Sequence, residues 1–558
     1  MLKSFLGRDW SLVKEVNILD NLKPVFIDQE KLKEYDPLLL LGMKKTIKRI
    51  KKAQEKKEQV IIYGDFDADG ITSTVLLVHG LRKLGIKVSY RIPDREKDSH
   101  GLKKDLLIPL FEKKISLLIT CDNGINDAEI IQWASKRGLD IIVTDHHFSD
   151  EVRFPHSAIS VLNPHQKNCP YPNKNLAGVG VVYKLLHALA LDFFPNPKEI
   201  DIFLKPYLEL VCIGLLADCM KICGENKLLI RRGLEGLKNS QWPPIQKILE
   251  INRINSKEIT EETVYYFLAP RINAASRIGN VYTATELFLS PEKIPERIAK
   301  LEEWNETRRT LTEKFTQEAR SMIYPWKKFQ WIFLSDCPAG ILGLVAGKLC
   351  EELQQPLLVA NKSNGFFSAS CRSPNGFNMI EMLQSMPDFF DRFGGHSGAA
   401  GFTISEKKQD LFLACVETYT EQHPPITIPI AVTAILHPTL VNFSLVDLIK
   451  SHGPYGVGNE EKIFQLNNAK VVQVEKMGSG QNHLRILVQI SETVFLNFLG
   501  FFMGHWSHIK PGGNYDFLYT VGDNFWQDER RLQLKLIDMR KSDPSRSGKT
   551  LGNTMLEE

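Results

Sequence analysis

The sequence predicts an α/β protein in which a parallel-sheet domain is joined by a long helix to a smaller α/β domain, with a C-terminal β-barrel after them. Three observations predict this architecture. Between residues 58 and about 160, five short apolar runs alternate with helical stretches, which is typical of a parallel sheet covered on both faces. A second, shorter alternation spans residues 326–425. Residues 426–540 carry β-like runs separated by turn residues.

Length and composition bound the class of protein. A chain of 558 residues is too long for one hydrophobic core, so three or four domains are expected. A net charge of +4 neither requires nor excludes a nucleic-acid partner. The nine cysteines show no paired framework, which favours a reducing, cytoplasmic location. No apolar run reaches the roughly 20 residues of a membrane span, so a soluble protein without a membrane partner is expected.

Residues 1–57 are expected to form a basic helical segment. Met43, Ile47 and Ile50 have helical spacing within MKKTIKRIKKAQEKKE, and lysines occupy most of the remaining positions. Such a run of lysines is usually a solvated helix face, and contact with phosphate is the alternative.

The ends of the predicted strands carry the polar residues of the first domain. VIIY at 60–63 is short, apolar and rich in β-branched residues, and Asp65, Asp67 and Asp69 follow it at every second position. Sites in parallel sheets form beyond the carboxyl ends of the strands, where all these side chains would meet. Three further strand ends carry Arg95, Asp122, Asp145, His146 and His147.

Three carboxylates crowded after one buried strand repel one another, so each would resist ionising without a positive partner. No Lys or Arg lies inside this motif, and a divalent cation is the economical partner. The alternative is that Asp67 and Asp69 only cap the following helix. Asp218 lies within the apolar run LELVCIGLLADCM, where a buried carboxylate is costly unless it binds a metal or accepts hydrogen bonds from backbone donors.

Six side chains are therefore the predicted metal ligands: Asp65, Asp67, Asp69, Asp122, His146 and Asp218. Six oxygen and nitrogen donors suit two divalent ions about 3.5–4 Å apart, and Asp122 is the candidate bridging carboxylate. The imidazole favours Mn²⁺, although Mg²⁺ is the more available ion. A pair of ions at this spacing is the usual arrangement for attack of water on a phosphate. His147 is expected to hydrogen-bond that phosphate or to protonate the leaving oxygen, and Asp145 is expected to orient an imidazole.

Residues 225–325 are predicted to be helical and to end in a long connecting helix, and residues 326–425 to form the second α/β unit. Two polar clusters lie in this unit: Ser370-Cys371-Arg372-Ser373 and the glycine-rich run GGHSGAAGF at 394–402, which we predict to be a loop. Glycines allow a close approach of the backbone to a ligand, and their N–H groups suit phosphate.

The C-terminal region is predicted to be a small barrel. Residues 426–540 contain five or six strand-like runs with turn residues between them, and an oligonucleotide-binding (OB-like) barrel is the specific prediction. The polar end, residues 541–558, is expected to be disordered.

These motifs resemble a known family. YGDFDADG, CDNG, TDHH and LLAD resemble the ordered motifs of the DHH phosphoesterases, and GGHSGAAGF is similar to the glycine motif of their DHHA1 domain. Five further runs extend the resemblance to the RecJ group of single-strand-specific 5′→3′ DNA exonucleases: NPHQKNCPYPNKNLAGVGVVYKLL, PRINAASRIGN, GILGLVAGKL, SASCRS and GPYGVGNEEKIF. The resemblance implies a DHH domain at 58–224, a DHHA1 domain at 326–425 and the OB-like domain at 426–540.

The resemblance also implies two Mn²⁺ or Mg²⁺ ions on the six predicted ligands. It assigns binding of the 5′ end and its phosphates to Arg95, Arg277, Ser370, Arg372 and His396. Single-stranded DNA would be the substrate, in recombination and repair, beside a helicase and a single-strand-binding protein. A monomer is expected.

The chain departs from the family pattern at two places. Related sequences often have Arg-x-x-x-Gly-Tyr-Gly where this chain reads REKDSHG at 95–101, so His100 replaces an aromatic residue that could stack on a base. At 273–277 the chain reads NAASR in place of the more familiar NAAGR, and it keeps Arg277.

The predicted function is metal-dependent hydrolysis of single-stranded DNA from its 5′ end to 5′-mononucleotides. One alternative is a DHH phosphodiesterase acting on short oligonucleotides or cyclic dinucleotides, against which the long C-terminal region argues. The other is a non-catalytic single-strand-binding scaffold, which would be expected to lose ligand residues.

Overall fold

A computed structural model describes residues 5–6, 8–12, 17–18, 32–95, 97–98, 100–363, 365–374, 376–478, 480–506, 508–526 and 529–543. The chain divides into two compact units. The larger contains Glu30–Pro425 and Gly456–Asn459, and the smaller contains the remaining segments at both ends of the chain. Among the described residues, no helix is long and apolar enough to cross a membrane.

The first part of the chain contains two short strands and then an alternation of helices and strands. The elements are β1 Trp10–Leu12, β2 Asn17–Ile18, α1 Met43–Glu55, β3 Val60–Tyr63, α2 Ala68–Lys83, β4 Val88–Arg91, α3 Lys104–Glu112, β5 Leu117–Thr120, α4 Ala128–Ser135, β6 Asp140–Thr144 and β7 Ser160–Leu162.

Strands β3 to β7 form a five-stranded parallel sheet in the order β4-β3-β5-β6-β7. Both faces are covered. Val60 and Ile62 belong to the core that includes α2 and the later helix at Gly178–Phe193, whereas Ile61 and Tyr63 belong to a separate core with α3 and α4. This alternation is what a strand buried on both faces requires, and it explains the continuous apolar runs. The predicted parallel sheet is confirmed.

A helical region follows the sheet and covers one of its faces. Its elements are α5 Gly178–Phe193, α6 Pro197–Leu204, α7 Tyr207–Ala217, α8 Gly224–Leu237, α9 Pro243–Ile251, α10 Glu261–Thr263, α11 Ala269–Ile278, α12 Val281–Leu289 and α13 Ile294–Arg320. Helices α10 and α11 are joined by a π-helical turn, Val264–Leu268. Helix α13 has 27 residues and is the predicted long connection to the second α/β domain.

The second α/β domain contains a mixed five-stranded sheet in the order β11-β12-β10-β9-β8. Its elements are β8 Gln330–Phe333, α14 Ala339–Leu353, β9 Leu357–Ser363, β10 Phe366–Arg372, α15 Met379–Gln384, β11 Phe390–Gly395, β12 Ala399–Ser405 and α16 Gln409–Gln422. The prediction of a loop at 394–402 is wrong for most of that run. Gly394 and Gly395 end β11, and residues 399–402 lie in β12, which pairs with β10 on its other side.

The smaller unit is built on a closed barrel. Its elements are β13 Ile430–Val432, β14 Ala434–Leu436, α17 Phe443–His452, β15 Phe464–Met477, β16 His483–Gln489, β17 Phe495–Gly500, β18 Asn514–Trp526 and β19 Glu529–Lys541. The barrel has the strand order β16-β17-β19-β18-β15, in which neighbours are hydrogen-bonded. Strand β15 also pairs with β16, which closes the ring. The OB-like barrel is confirmed.

The N-terminal segment differs from the helix predicted over 1–57. Helix α1 is present at Met43–Glu55, but β1 pairs in parallel with β13, and β2 pairs in parallel with β14. These short strands add to sheet edges of the smaller unit, whose partner strands lie about 420 residues further along the chain. The predicted disorder of 541–558 falls largely outside the described residues, because β19 runs to Lys541 and the description stops at residue 543.

A buried ionic network anchors the segment before α1 to the helices that cover the first sheet. Lys184 of α5 is fully buried, and its Nζ lies 2.8 Å from Glu225 Oε1 and 2.9 Å from Glu34 Oε1. Glu225 also accepts hydrogen bonds from the hydroxyl of Tyr171 and the backbone N–H of Tyr35. One buried cation thus satisfies two carboxylates that arrive from different parts of the chain.

Replacing this cation should be strongly destabilising. We expect Lys184→Met to lower the free energy of unfolding of the larger unit by about 3–5 kcal/mol, because Glu225 would remain buried without its counter-charge. Urea denaturation followed by circular dichroism measures the change. Lys51→Met is the matched control: Lys51 pairs with Asp192 on the surface and its loss should barely move the unfolding midpoint. Equal effects of the two substitutions would contradict the assigned role of Lys184.

Candidate metal centre and phosphate site

The carboxyl edge of the first sheet gathers polar side chains from three adjacent strands. Asp65, Asp67 and Asp69 follow β3, Asp122 follows β5, and the Asp145-His146-His147 triplet follows β6. Asp122 has a left-handed backbone, with φ of +64°, and its N–H donates to Thr144 O in the neighbouring strand. Aspartate tolerates this conformation better than most residues, so the strand can end sharply while the carboxyl group stays at the edge.

The structure brings all six predicted ligands together. Asp65, Asp67 and Asp122 each offer an oxygen within 4.8 Å of the other two, and Asp69, His146 and Asp218 form a second such group. Asp122 links the groups, because its Oδ1 lies 3.2 Å from His146 Nε2. Asp218 reaches the cluster from the C-terminal end of α7, and its Oδ2 lies 3.5 Å from the same nitrogen.

The carboxylates of this cluster are buried close together, and some of their oxygens have no hydrogen-bond donor among the described side chains. Three buried carboxylate oxygens, Asp65 Oδ1, Asp122 Oδ1 and Asp218 Oδ2, accept no hydrogen bond from that part of the chain. Burial, reinforced by neighbouring carboxylates, raises the pKa of Asp69 to about 7 and raises the pKa values of Asp122 and Asp218 well above their usual range. Burial also lowers the pKa of His146 to about 3, so this imidazole is neutral and can serve as a ligand. The donor set fits hard divalent cations.

The helix-capping alternative is true of one aspartate without excluding a ligand role. Asp67 is the N-cap of α2, and its Oδ1 accepts a hydrogen bond from Gly70 N at 3.0 Å. Asp69 instead accepts hydrogen bonds from the N–H groups of Gly178 and Val179 at the start of α5, at 2.7 and 2.9 Å. Each of these two carboxylates thus has one or more fixed donors that set its orientation.

Sequence reasoning did not assign a role to the start of α5. A Cβ on Gly178 would lie 2.6 Å from Asp122 Cβ, so only glycine lets the helix approach the cluster closely enough for its N–H groups to reach Asp69. The run LAGVG at 176–180 held the signal, because two glycines beside small residues at a helix start indicate a close approach. Asn273 was also missed: its Oδ1 accepts a hydrogen bond from Ala68 N and so joins α11 to the aspartate motif.

His147 and Asp145 form a tight pair beside the ligand cluster. Asp145 Oδ1 lies 2.8 Å from His147 Nδ1 and also accepts hydrogen bonds from the backbone N–H groups of His146 and His147. Burial opposes charge on both groups, but their mutual attraction prevails and raises the pKa of His147 to about 10 while lowering that of Asp145 to about 2. The pair therefore fixes the orientation of the His147 imidazole.

The predicted substrate-binding arginines lie close to this edge, and they arrive from three different segments. The guanidinium of Arg95 stacks on the Phe66 ring at 4.2 Å, and its buried Nε has no hydrogen-bond partner among the described residues. Arg277 donates to Gly340 O, and Arg372 donates to Ser370 Oγ at 3.1 Å. Burial, together with repulsion from Arg95 and other arginines, lowers the pKa of Arg277 to about 9. Such crowding of cations indicates a site for an anion.

The second α/β domain also contributes an imidazole. The ring of His396, which lies at the turn between β11 and β12, is 6.1 Å from that of His147 and nearly parallel to it. The ring of His396 thus reaches the triplet that follows β6, although His147 lies 249 residues earlier in the sequence.

The family comparisons agree with this geometry. Three family models match successive parts of the chain: the DHH family N-terminal domain at residues 59–215, the DHHA1 domain at 327–422 and the RecJ OB domain at 432–538. Among solved structures, the chain resembles RecJ from Thermus thermophilus in complex with Mn²⁺, with a TM-score of 0.78 and 26% identity over 90% of this chain and 72% of that one. A structure of exonuclease RecJ bound to manganese matches with a TM-score of 0.58 and 28% identity, over 70% of this chain and 97% of that one.

Named relatives extend the likeness over most of the chain. It is 32% identical to the single-stranded-DNA-specific exonuclease RecJ of Bacillus subtilis over 523 residues, which are 91% of this chain and 64% of that protein. The chain thus spans slightly less than two thirds of that relative. It is 30% identical to the protein of the same name from Haemophilus influenzae, over 81% of this chain and 82% of the relative. The site geometry, the three domain matches and the coverage of these relatives together show that the chain belongs to the RecJ family of DHH phosphoesterases.

Proposed function

We propose that the protein is a metal-dependent exonuclease that hydrolyses single-stranded DNA from the 5′ end to 5′-mononucleotides. The observation that carries the proposal is one edge at which a buried carboxylate cluster lies beside a buried arginine cluster. The first set requires cations, and the second requires an anion. A phosphodiester bound to divalent metal meets both requirements, and the named relatives are single-stranded-DNA-specific exonucleases.

Two divalent ions fit the ligand set, Mn²⁺ or Mg²⁺. Asp65, Asp67 and Asp122 would hold one, and Asp69, Asp122, His146 and Asp218 the other, with Asp122 shared. When bound, such ions neutralise the carboxylates and supply the Lewis acidity for attack of water on a phosphodiester.

The chain's own residues orient the substrate and its protons. Arg95, Arg277 and Arg372 would bind the 5′-terminal phosphates with charge-assisted hydrogen bonds, and Ser370 Oγ fixes the position of Arg372. His147, oriented by Asp145, can donate a proton or hydrogen bond to the departing oxygen, and His396 lies beside it to contact the same phosphate.

The barrel supports a single-stranded substrate. The ring of Phe502 is 77% exposed, and those of Phe501 and His483 lie next to it. Exposed rings on such a barrel can stack on successive bases without reading their sequence. The same barrel disfavours the alternative of an enzyme for short or cyclic dinucleotides, and the full ligand set disfavours a non-catalytic scaffold.

The cellular setting that we propose is DNA recombination and repair in the cytoplasm. The enzyme would act as a monomer on strands that a helicase separates and a single-strand-binding protein covers.

Digestion of end-labelled oligonucleotides tests the proposal directly. With Mn²⁺, a single strand blocked at its 3′ end should be degraded to mononucleotides, whereas one blocked at its 5′ end, a blunt duplex of the same sequence and any reaction with excess chelator should remain intact. Degradation that starts at the 3′ end, or a duplex cut as fast as the single strand, would overturn the assigned polarity or strand preference.

Asp122→Asn should separate metal binding from folding. Removing the charge of a shared ligand should lower the cleavage rate at least about 100-fold, because even outer-shell changes at metal sites cost 10–100-fold. The metal-free variant should be no less stable than the wild type, since a repelled carboxylate has been neutralised, but Mn²⁺ should raise its melting temperature less. Asp150→Asn, which alters an exposed aspartate bonded to Arg153, is the control and should change neither property. A wild-type cleavage rate in Asp122→Asn would refute the ligand assignment.

Arg372→Gln should weaken recognition of the terminal phosphate. Loss of a charge-assisted contact of about 1.5–3 kcal/mol should reduce affinity for a 5′-phosphorylated single strand about 10–100-fold. The effect on a 5′-hydroxyl strand should be smaller. Fluorescence anisotropy in the Asp122→Asn background measures binding without cleavage. Arg320→Gln removes the same charge from a surface pair with Glu352 and is the control. Equal losses for both kinds of DNA end would argue against a phosphate contact by Arg372.

A further inference from the structure

The backbone at Gly101 and Leu102, just before α3, is held in place beside the metal centre. Gly101 has a φ of +82°, and a Cβ there would lie 2.8 Å from Asp127 Oδ1. Its carbonyl accepts a hydrogen bond from the Tyr63 hydroxyl, and the N–H of the next residue, Leu102, donates to Asp127 Oδ2. The backbone directly after His100 is therefore held by two residues of the sheet and its loops.

His100 uses this fixed position to contact the aspartate motif. Its Nδ1 lies 3.1 Å from Asp65 Oδ2, and its ring centroid lies 4.4 Å from that of Phe66. The guanidinium of Arg95 also stacks on the Phe66 ring. The imidazole is thus packed on a ring that is itself fully buried, with one nitrogen directed at a carboxylate.

The two oxygens of Asp65 consequently have different surroundings. Oδ2 is paired with the His100 ring, whereas Oδ1 is buried and accepts no hydrogen bond from the described residues. Asp65 is also one of the three aspartates whose oxygens cluster with those of Asp67 and Asp122. A donor on one carboxylate oxygen restricts rotation of the group and directs the other oxygen to the cluster.

We infer that His100 is a positioning residue of the metal centre, which orients the carboxylate of Asp65 by donating its Nδ1–H to Oδ2. This inference rests on the metal-dependent function proposed above. A neutral imidazole is sufficient for the role. Nδ1 of histidine is bonded directly to Cγ, so its N–H is a donor close to the backbone that Gly101 and Leu102 hold in place.

Two variants separate the donor from the ring. His100→Phe keeps an aromatic ring on Phe66 but has no N–H, and His100→Asn places an amide N–H near the position of Nδ1 but has no ring. We expect His100→Phe to weaken Mn²⁺ binding, measured by isothermal titration calorimetry without DNA, about 10–100-fold. His100→Asn should bind Mn²⁺ within a few-fold of the wild type. Because the side chain is mostly exposed, both variants should have unchanged melting temperatures without metal.

The outcomes distinguish this inference from the proposed function. If the wild type neither binds Mn²⁺ nor cleaves DNA, the proposed function itself fails. If the wild type binds Mn²⁺ and His100→Phe binds it equally well, the positioning role is overturned. It is also overturned if His100→Asn loses as much Mn²⁺ affinity as His100→Phe, since a donor would then not be what matters. A raised KM for DNA in His100→Asn, with Mn²⁺ affinity native in both variants, would assign the ring to base stacking instead.

Discussion

Mutual repulsion among buried carboxylates is the constraint on which the larger unit depends. Asp65, Asp69 and Asp122 are almost fully buried at one sheet edge, and Asp218 is added to them from α7. Without cations, burial and repulsion raise the pKa values of Asp69, Asp122 and Asp218 and so favour their protonated forms. Such a cluster is costly to fold in isolation, so the arrangement is explained by the cations that it is built to hold.

The neighbouring elements accommodate this cost in specific ways. The start of α5 directs two N–H groups at Asp69, and its partially positive end lies next to the acidic cluster. Gly178 makes that approach possible, because a side chain there would collide with Asp122. Asp67 accepts a hydrogen bond from Gly70 N in the first turn of α2, and it still belongs to the cluster of carboxylates. The start of α5 thus contacts both oxygens of Asp69, whereas Gly70 N contacts Oδ1 of Asp67, and each carboxylate keeps further lone pairs that can bind a metal.

The arginines form the complementary half of the edge. Arg95 comes from the first sheet, Arg277 from α11 and Arg372 from the second α/β domain, and their burial lowers their pKa values. Crowded cations thus lie next to crowded anions, which is the arrangement on which the proposed binding of phosphate together with metal rests. The long helix α13 links the second α/β domain, which supplies Arg372, to the part of the chain that supplies Arg95, Arg277 and the carboxylates, so the site depends on elements far apart in the chain.

Much of this could be read from the sequence, because the deciding signals are local. A buried parallel strand needs a continuous apolar run, its end needs polar residues if a site lies there, and a carboxylate within an apolar helix needs a reason. These rules located the five strands of the first sheet, the three aspartates after β3, and Asp218.

Features that join distant segments were decided only by the tertiary structure. The pairing of Trp10–Leu12 with Ile430–Val432 has no local signal, since two edge strands meet only after the barrel has formed. The glycines at 394–395 lie in a strand, although glycine disfavours strands, because β12 supplies their partners. Likewise, the bond from His100 to Asp65 and the N–H groups that α5 directs at Asp69 arise from close approach across loops and helices. Residue type and spacing therefore determined which chemistry the chain can perform, and long-range packing determined which atoms are held in place to perform it.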